Sequence, residues 1–243
     1  MWSYYGSKSK IVKKYPHPKF DTIIEPFAGS ARYALLHWEN DIILVDKYDA
    51  IVRLWKYLQL CSNNDILSLP KVSAGDNLKD IETLSLEEKT LMGFLINPGS
   101  STPKNVVSRT FGNGKMEERV ERDKISIASN LHKIKHWKII QGDYTCLENI
   151  EATWFIDPPY QFGGQWYKTS VNNSHIDFSS LADWSRSRNG QVMVCENSKA
   201  NWMDFKFLSD MSGSKYKTKE VIWTKNRKGE TYMGKRSDFE RKS

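Results

Sequence analysis

Short runs of consecutive apolar residues punctuate this chain, and between them the apolar positions recur at helical spacing. Thr22-Ile23-Ile24, Ile42-Ile43-Leu44-Val45, Thr153-Trp154-Phe155-Ile156 and Gln191-Val192-Met193-Val194-Cys195 are short, rich in β-branched residues and bounded by polar or turn-forming residues, so they read as buried strands. Together with two further segments they predict strands at 22–25, 42–45, 138–141, 153–157, 191–195 and 219–224, the last two paired antiparallel. Tyr48 to Leu60 places Ile51, Leu54, Trp55 and Leu58 on one helical stripe that would pack on the sheet. Ser85 with Glu88 three residues later is a capping-box signature, opening a helix that contains Leu91, Phe94 and Leu95. Val120, Ile127, Leu131 and Ile134 keep helical spacing with charges on the other faces, predicting a helix that leads back to the sheet. Strands alternating with helices in this way belong to an α/β fold of the Rossmann-like, doubly wound kind.

Between Cys61 and Trp137 the alternation gives way to helices and loop. Residues 1–60 and 137–243 are therefore expected to form the main sheet domain, and 61–136 a small, mostly helical and loop insertion. Within it, Asn97 to Lys115 is rich in Gly, Ser, Asn, Thr and Pro with Lys104, Arg109 and Lys115 interspersed, the composition of a long, mobile, basic loop. Loop donors at Lys104, Asn105, Arg109 and Asn113 suit base-edge or phosphate contacts, against the plainer reading of a solvated surface loop.

The overall composition fits this picture. The 243 residues, 39% of them hydrophobic, with a mean hydropathy of -0.60, suffice for one sizeable α/β core plus a modest insertion. A net charge of +7 and a pI near 9.1 favour a polyanionic partner, although charge alone is weak support. Basic residues gather at Lys8, Lys10, Lys13, Lys14 and Lys19 and again from Lys225 to Lys242. No long apolar stretch or signal-peptide pattern is present, so a membrane association is not expected. Cys61, Cys146 and Cys195 are scattered and odd in number, which suits reduced thiols inside a cell and no structural metal. His132 and His136, four apart on the predicted helix, could pair on a metal, but Lys133 and Lys135 make that face cationic and no acidic partner completes a site.

The chemistry concentrates at Asp157-Pro158-Pro159-Tyr160, where the fourth apolar run ends. Consecutive prolines fix φ and remove backbone donors, so the neighbouring carbonyls become aimed acceptors. A planar amine could donate to the Asp157 carboxylate and the Pro158 carbonyl while Tyr160 stacks on its ring. A strand-ending turn is the plainer account of the same four residues. Two other segments point to chemistry. Glu25-Pro26-Phe27-Ala28-Gly29-Ser30-Ala31 is a small-residue turn between a strand and a helix, where a nucleoside could sit. Asp46 ends the second run about 20 residues later, where a carboxylate takes ribose hydroxyls. Ala31 closes that turn without cost only if it already starts the helix, because a positive φ would strain it.

On these residues the chain resembles the Dam-like (class alpha) family of DNA adenine methyltransferases. Tyr4-Tyr5-Gly6-Ser7-Lys8 is similar to the family's N-terminal cofactor motif, and Glu25 to Ala31 to its Pro-Phe-x-Gly turn, with Ala31 where a second glycine is usual. Asp46 resembles its ribose-binding acid, Gly142-Asp143 the pair near the cofactor adenine, and Asp157 to Tyr160 the catalytic motif. The resemblance implies an S-adenosylmethionine-dependent methyltransferase sheet, cytoplasmic, acting on double-stranded DNA by base flipping and direct in-line transfer to the N6 amine of adenine. It implies catalytic Asp157, Pro158, Pro159 and Tyr160, a cofactor site at Tyr4, Lys8, Phe27, Gly29, Asp46, Asp143 and Asp157, and a target-recognition role for the insertion. Methylation of cytosine at N4, an RNA substrate, and a nucleic-acid-binding protein on an inactive scaffold remain open.

Overall fold

The apolar runs pair into a single sheet in the computed structural model, which describes residues 1–108, 115–163, 176–212, 217–227 and 230–231. β1 (Thr22–Glu25), β2 (Asp41–Asp46), β3 (Lys138–Gln141), β4 (Ala152–Ile156) and β5 (Gly190–Asn197) are parallel neighbours in the order β3-β2-β1-β4-β5. Every residue of β4 is buried, as expected of a central parallel strand covered on both faces. β7 (Lys217–Arg227) runs antiparallel along β5, which agrees with the predicted pairing, and β6 (Lys206–Ser212) and the short β8 (Glu230–Thr231) pair antiparallel with β7. β6 and β8 were not among the expected strands. β6 reads Lys-Phe-Leu-Ser-Asp-Met-Ser and carries a Phe207 that is 60% exposed, so it has the weak apolar pattern of a strand at the sheet's edge.

Helices cover both faces. α1 (Arg32–Leu36) is short, whereas α2 (Asp49–Leu60) lays Ile51, Leu54, Trp55 and Leu58 fully buried along the predicted stripe. Beyond α3 (Asn63–Leu67), α4 (Leu86–Leu95) opens on the expected capping box: the Glu88 amide donates to Ser85 Oγ at 3.2 Å and the Ser85 amide to Glu88 Oε2 at 2.7 Å. The helix predicted through Ile134 stops earlier. α5 (Lys115–Ala128) ends before Asn130, whose side-chain amide donates to the Ser126 carbonyl at 2.7 Å, and a tighter turn over Leu131–Ile134 buries the remaining apolar positions. On the far face α6 (Phe178–Ser187) packs Leu181 and Ala182 against Trp154, Ile156, Val192 and Val194. The insertion is continuous with the sheet: Ile66, Leu91, Phe94, Val120 and Ile127 share one buried cluster with Ile23, Leu44 and Trp55.

The predicted mobile loop is fastened along part of its described length, which corrects that expectation. The Lys104 amide donates to the Gly93 carbonyl, the Leu78 amide to the Asn105 carbonyl, and Val107 bonds to Gly75 and Asp76 with its side chain fully buried. Turn-forming composition indicates irregular backbone, but gives no sign of where its amides and carbonyls bond. Gly93 makes the arrangement possible, because a Cβ there would lie 2.6 Å from the Lys104 carbonyl oxygen and 2.7 Å from Pro103 Cβ. Glycine to alanine inside a helix ordinarily stabilises by about 0.5–1 kcal/mol. Here overpacking of about 1–3 kcal/mol opposes it, so Gly93→Ala is expected to lower the unfolding midpoint in denaturant titration; a raised midpoint would show that the loop is not seated on α4.

Candidate functional site

The sheet order reverses between β1 and β4, since the chain leaves β1 toward β2 on one side and leaves β4 toward β5 on the other. A crevice opens at the carboxyl ends of strands at such a switch point. In this protein it is a cleft of about 270 Å3, near the lower end of small-molecule sites. Glu25 closes it from the end of β1, Asp46 from β2, Gly142 and Asp143 from beyond β3, Phe155 from β4 and Asp157 from just beyond it, while Tyr4 to Lys8 forms another wall. Each residue expected at the cofactor (Tyr4, Lys8, Phe27, Gly29, Asp46, Asp143 and Asp157) lines this one cleft. Of the rest of the tetrapeptide, Pro159 lines it, whereas Pro158 is buried and Tyr160 packs partly buried against the core.

The glycine turn is fixed from three sides. Gly29 has φ 44° with the Tyr4 ring against it, its amide donates to Asp46 Oδ2 at 2.9 Å, and its carbonyl accepts from Trp55 Nε1 at 2.9 Å. The Tyr48 amide donates to Asp46 Oδ1 at 2.8 Å. Together the two Asp46 oxygens hold the amides of Gly29, Tyr48 and Lys47 and keep acceptor capacity for a ligand hydroxyl. Burial pushes the Asp46 carboxyl up to about 6, and the amides of Gly29, Tyr48 and Lys47 oppose that rise. Ala31 takes the strained alternative: at φ 43° and ψ 51° it is left-handed and immediately precedes α1.

At the opposite end, Phe27 and Tyr144 face one another with ring centroids 5.6 Å apart, and Tyr144 leans edge-on to Trp184. Asp143 accepts from the Thr145 amide and pairs with Lys47 at 3.5 Å, a half-exposed contact of little energetic weight. Tyr144, Ile176 and Asp177 line this end too and were not singled out from sequence, although Tyr144 directly follows the Gly-Asp pair.

The middle of the site is a buried polar cluster. Lys8, 4% exposed, donates to Asp157 Oδ1 at 2.9 Å, to the Tyr160 hydroxyl at 2.5 Å and to the Gly6 carbonyl at 3.2 Å, and its ammonium lies 4.4 Å from the Tyr160 ring centroid. The Tyr160 hydroxyl in turn donates to Glu220 Oε1 at 2.6 Å, which also accepts from the Tyr15 hydroxyl at 2.6 Å. Burial alone would lower the Lys8 pKa, but Asp157 and Glu220 beside it raise it above the usual lysine value, so it stays charged. Asp157 is pushed up to about 6, chiefly by burial, with Lys8 opposing the rise and Glu220 adding to it. Glu196, fully buried at the end of β5, accepts from the Gln161 amide at 2.6 Å and from Trp202 Nε1, anchoring the backbone just after Tyr160.

Glu25 is a second buried acid in the cleft. It accepts from the Ala34 amide at 2.6 Å, and burial raises it to about 8, which that amide opposes and Asp157 reinforces. A carboxyl whose pKa is raised in the folded state binds its proton more tightly there, so its contribution to stability is fully present below about pH 4.5 and is lost as pH climbs toward 8. Glu25→Gln, which keeps an acceptor for Ala34, should therefore flatten the fall in stability between pH 5 and pH 8 by at least about 1 kcal/mol. Parallel unfolding curves for the two proteins across that range would contradict the assignment.

The proposed DNA contacts are only partly described. Lys104 and Asn105 are exposed beside α4, and Arg109 and Asn113 lie outside the described residues. The insertion reaches the cleft where the Tyr5 amide donates to the Ser100 carbonyl at 3.2 Å. His132 lies edge-on to Trp38 and His136 contacts the Asn40 carbonyl; they do not share a helix, and no cluster able to hold a metal occurs among the described residues. Among those residues, no helix is long and apolar enough to cross a membrane. Compared with known proteins, the chain matches no protein-family model and no curated protein.

Proposed function

We propose that this protein transfers a methyl group from S-adenosylmethionine to the exocyclic N6 amine of adenine in double-stranded DNA. The observation that carries the reading is the convergence of Tyr4, Lys8, Phe27, Gly29, Asp46, Asp143 and Asp157, far apart in sequence, on one cleft at the switch point of the sheet. Its donor set suits the cofactor. Asp46 keeps acceptor capacity for sugar hydroxyls, Phe27 and Tyr144 offer aromatic surface to a purine, and the buried carboxylates of Asp157 and Glu220 outnumber the single Lys8 ammonium between them. That balance favours a cationic ligand. When bound, S-adenosylmethionine supplies an electrophilic methyl group on a cationic sulfur, which keeps the bonding electrons as the methyl leaves.

The target base must leave the stack, at a cost of a few kcal/mol, and find a replacement surface. Tyr160 is the residue proposed to supply it, its hydroxyl held between Lys8 and Glu220. Asp157, together with the Pro158 carbonyl, accepts hydrogen bonds from the amine, which orients the nitrogen lone pair for the new N–C bond and makes it more nucleophilic. The methylated nitrogen is then cationic, and its proton passes to Asp157, whose raised pKa suits that task, or to a water on it. Net charge of +7 supports a polyanionic substrate, and the insertion that carries Lys104, Asn105, Arg109 and Asn113 is the proposed reader of sequence. Sequencing for modified bases in DNA from cells expressing the chain tests the proposal. It should find N6-methyladenine recurring in one sequence context; the same modification pattern in cells expressing Asp157→Ala would contradict the assignment.

A further inference from the structure

Glu220 lies behind the cleft, on β7, where it touches the residues that form the reaction site without lining the cleft itself. Its Oε1 accepts from the Tyr160 and Tyr15 hydroxyls, each at 2.6 Å, and stands 3.7 Å from Lys8 Nζ, which is 2.9 Å from Asp157. The carboxylate is 2% exposed. Its two phenol donors come from distant parts of the chain, and they hold it where it divides the Lys8 charge with Asp157. An ammonium bound to Asp157 alone would hold that carboxylate as a weak acceptor, because an opposite charge at contact favours the ionised form.

We propose that Glu220 is a positioning residue for methyl transfer, fixing the Tyr160 ring and competing with Asp157 for the Lys8 ammonium, so that Asp157 stays a strong acceptor for the substrate amine. The inference rests on the methyltransferase reading. The groups facing Asp157 are Lys8 from the N-terminal segment, Glu25 from β1, Glu196 and Cys195 from β5, Tyr15, Tyr160, and Glu220 from β7. Of these, only Lys8 is cationic, so it is the neighbour that opposes the rise that burial and the surrounding carboxylates impose on Asp157.

Glu220→Gln keeps an acceptor for both phenols and removes the competing charge. Asp157 should then titrate lower by about 1 pH unit, followed by carbon NMR of labelled aspartate carboxyls in the unliganded protein and assigned with Asp157→Asn. The acid limb of the methyl-transfer pH profile should move down with it, and the plateau rate should fall by up to about tenfold as Asp157 becomes a weaker acceptor. A purely structural role would lower stability and leave both titrations in place. If Glu220→Gln does not fold, Glu220→Asp keeps the charge but draws the carboxylate back from Lys8 by one methylene, and Asp157 should again titrate lower. An unmoved Asp157 in the variant that folds overturns the proposal. Because the NMR titration needs no substrate, its outcome stands even if the wild-type chain transfers no methyl group, a result that would count against the methyltransferase reading instead.

Discussion

Asp157→Ala is expected to lower the rate of methyl transfer about 10²–10⁴-fold, the range supplied by a positioned acid or base. Affinity for S-adenosylmethionine should change much less. The loss falls on the chemical step because Asp157 meets the amine, while Asp46, Phe27 and Asp143 hold other parts of the cleft. The fold should tolerate the change: Asp157 is a carboxylate already pushed up to about 6 by burial, and Lys8 keeps Glu220 at 3.7 Å and the Gly6 carbonyl after its partner is gone. Single-turnover rates and calorimetric binding, measured side by side, separate the two effects. Retention of more than about a tenth of the wild-type rate, a loss under about 1.4 kcal/mol, would mean that Asp157 is not the acceptor.

Lys8→Met should be the more damaging change to stability. It leaves Asp157 and Glu220 facing one another with side chains 21% and 2% exposed and no cation between them. Removing one partner of a buried pair costs about 3–5 kcal/mol. The pH dependence has a definite sign. Carboxylates without their cation bind protons more readily, and protonation removes their repulsion, so the deficit should be large at pH 8 and shrink toward pH 5. Lys8 itself adds no slope in that window, because its pKa, already far above it, is raised further by Asp157 and Glu220 against the opposing effect of burial. Adding Glu220→Gln to Lys8→Met should recover part of the loss. Denaturant unfolding at both pH values checks this, and an equal deficit at pH 5 and pH 8 would show that Lys8 acts through packing alone.

The parts of this fold that were legible in sequence are those whose signal is local. β1, β4 and β5 bury continuous apolar runs and β2 most of one, and α2 and α4 show a stripe or a capping box within a single stretch of chain. β6 was missed because an edge strand needs no apolar face of its own, and the break after α5 because Asn130 turns its amide back on Ser126 within an otherwise periodic pattern. The cleft residues could be named because motif resemblance assigns each a place. Their buried supports could not. Tyr15 and Glu220 are 205 positions apart and Lys8 and Tyr160 are 152 apart, so their hydrogen bonds leave no trace in spacing. One signal was available: Glu196 and Glu220 each abut an apolar strand run, and a carboxylate there is either paired or at the surface.

The central claim is the chemistry at Asp157. Its most direct test is to incubate the purified chain with S-adenosylmethionine carrying an isotope-labelled methyl group and with duplex DNA, digest the DNA to nucleosides and weigh them by mass spectrometry. The account predicts label in N6-methyldeoxyadenosine, and its loss with Asp157→Ala. Label confined to N4-methyldeoxycytidine, or no label in the DNA, would contradict it.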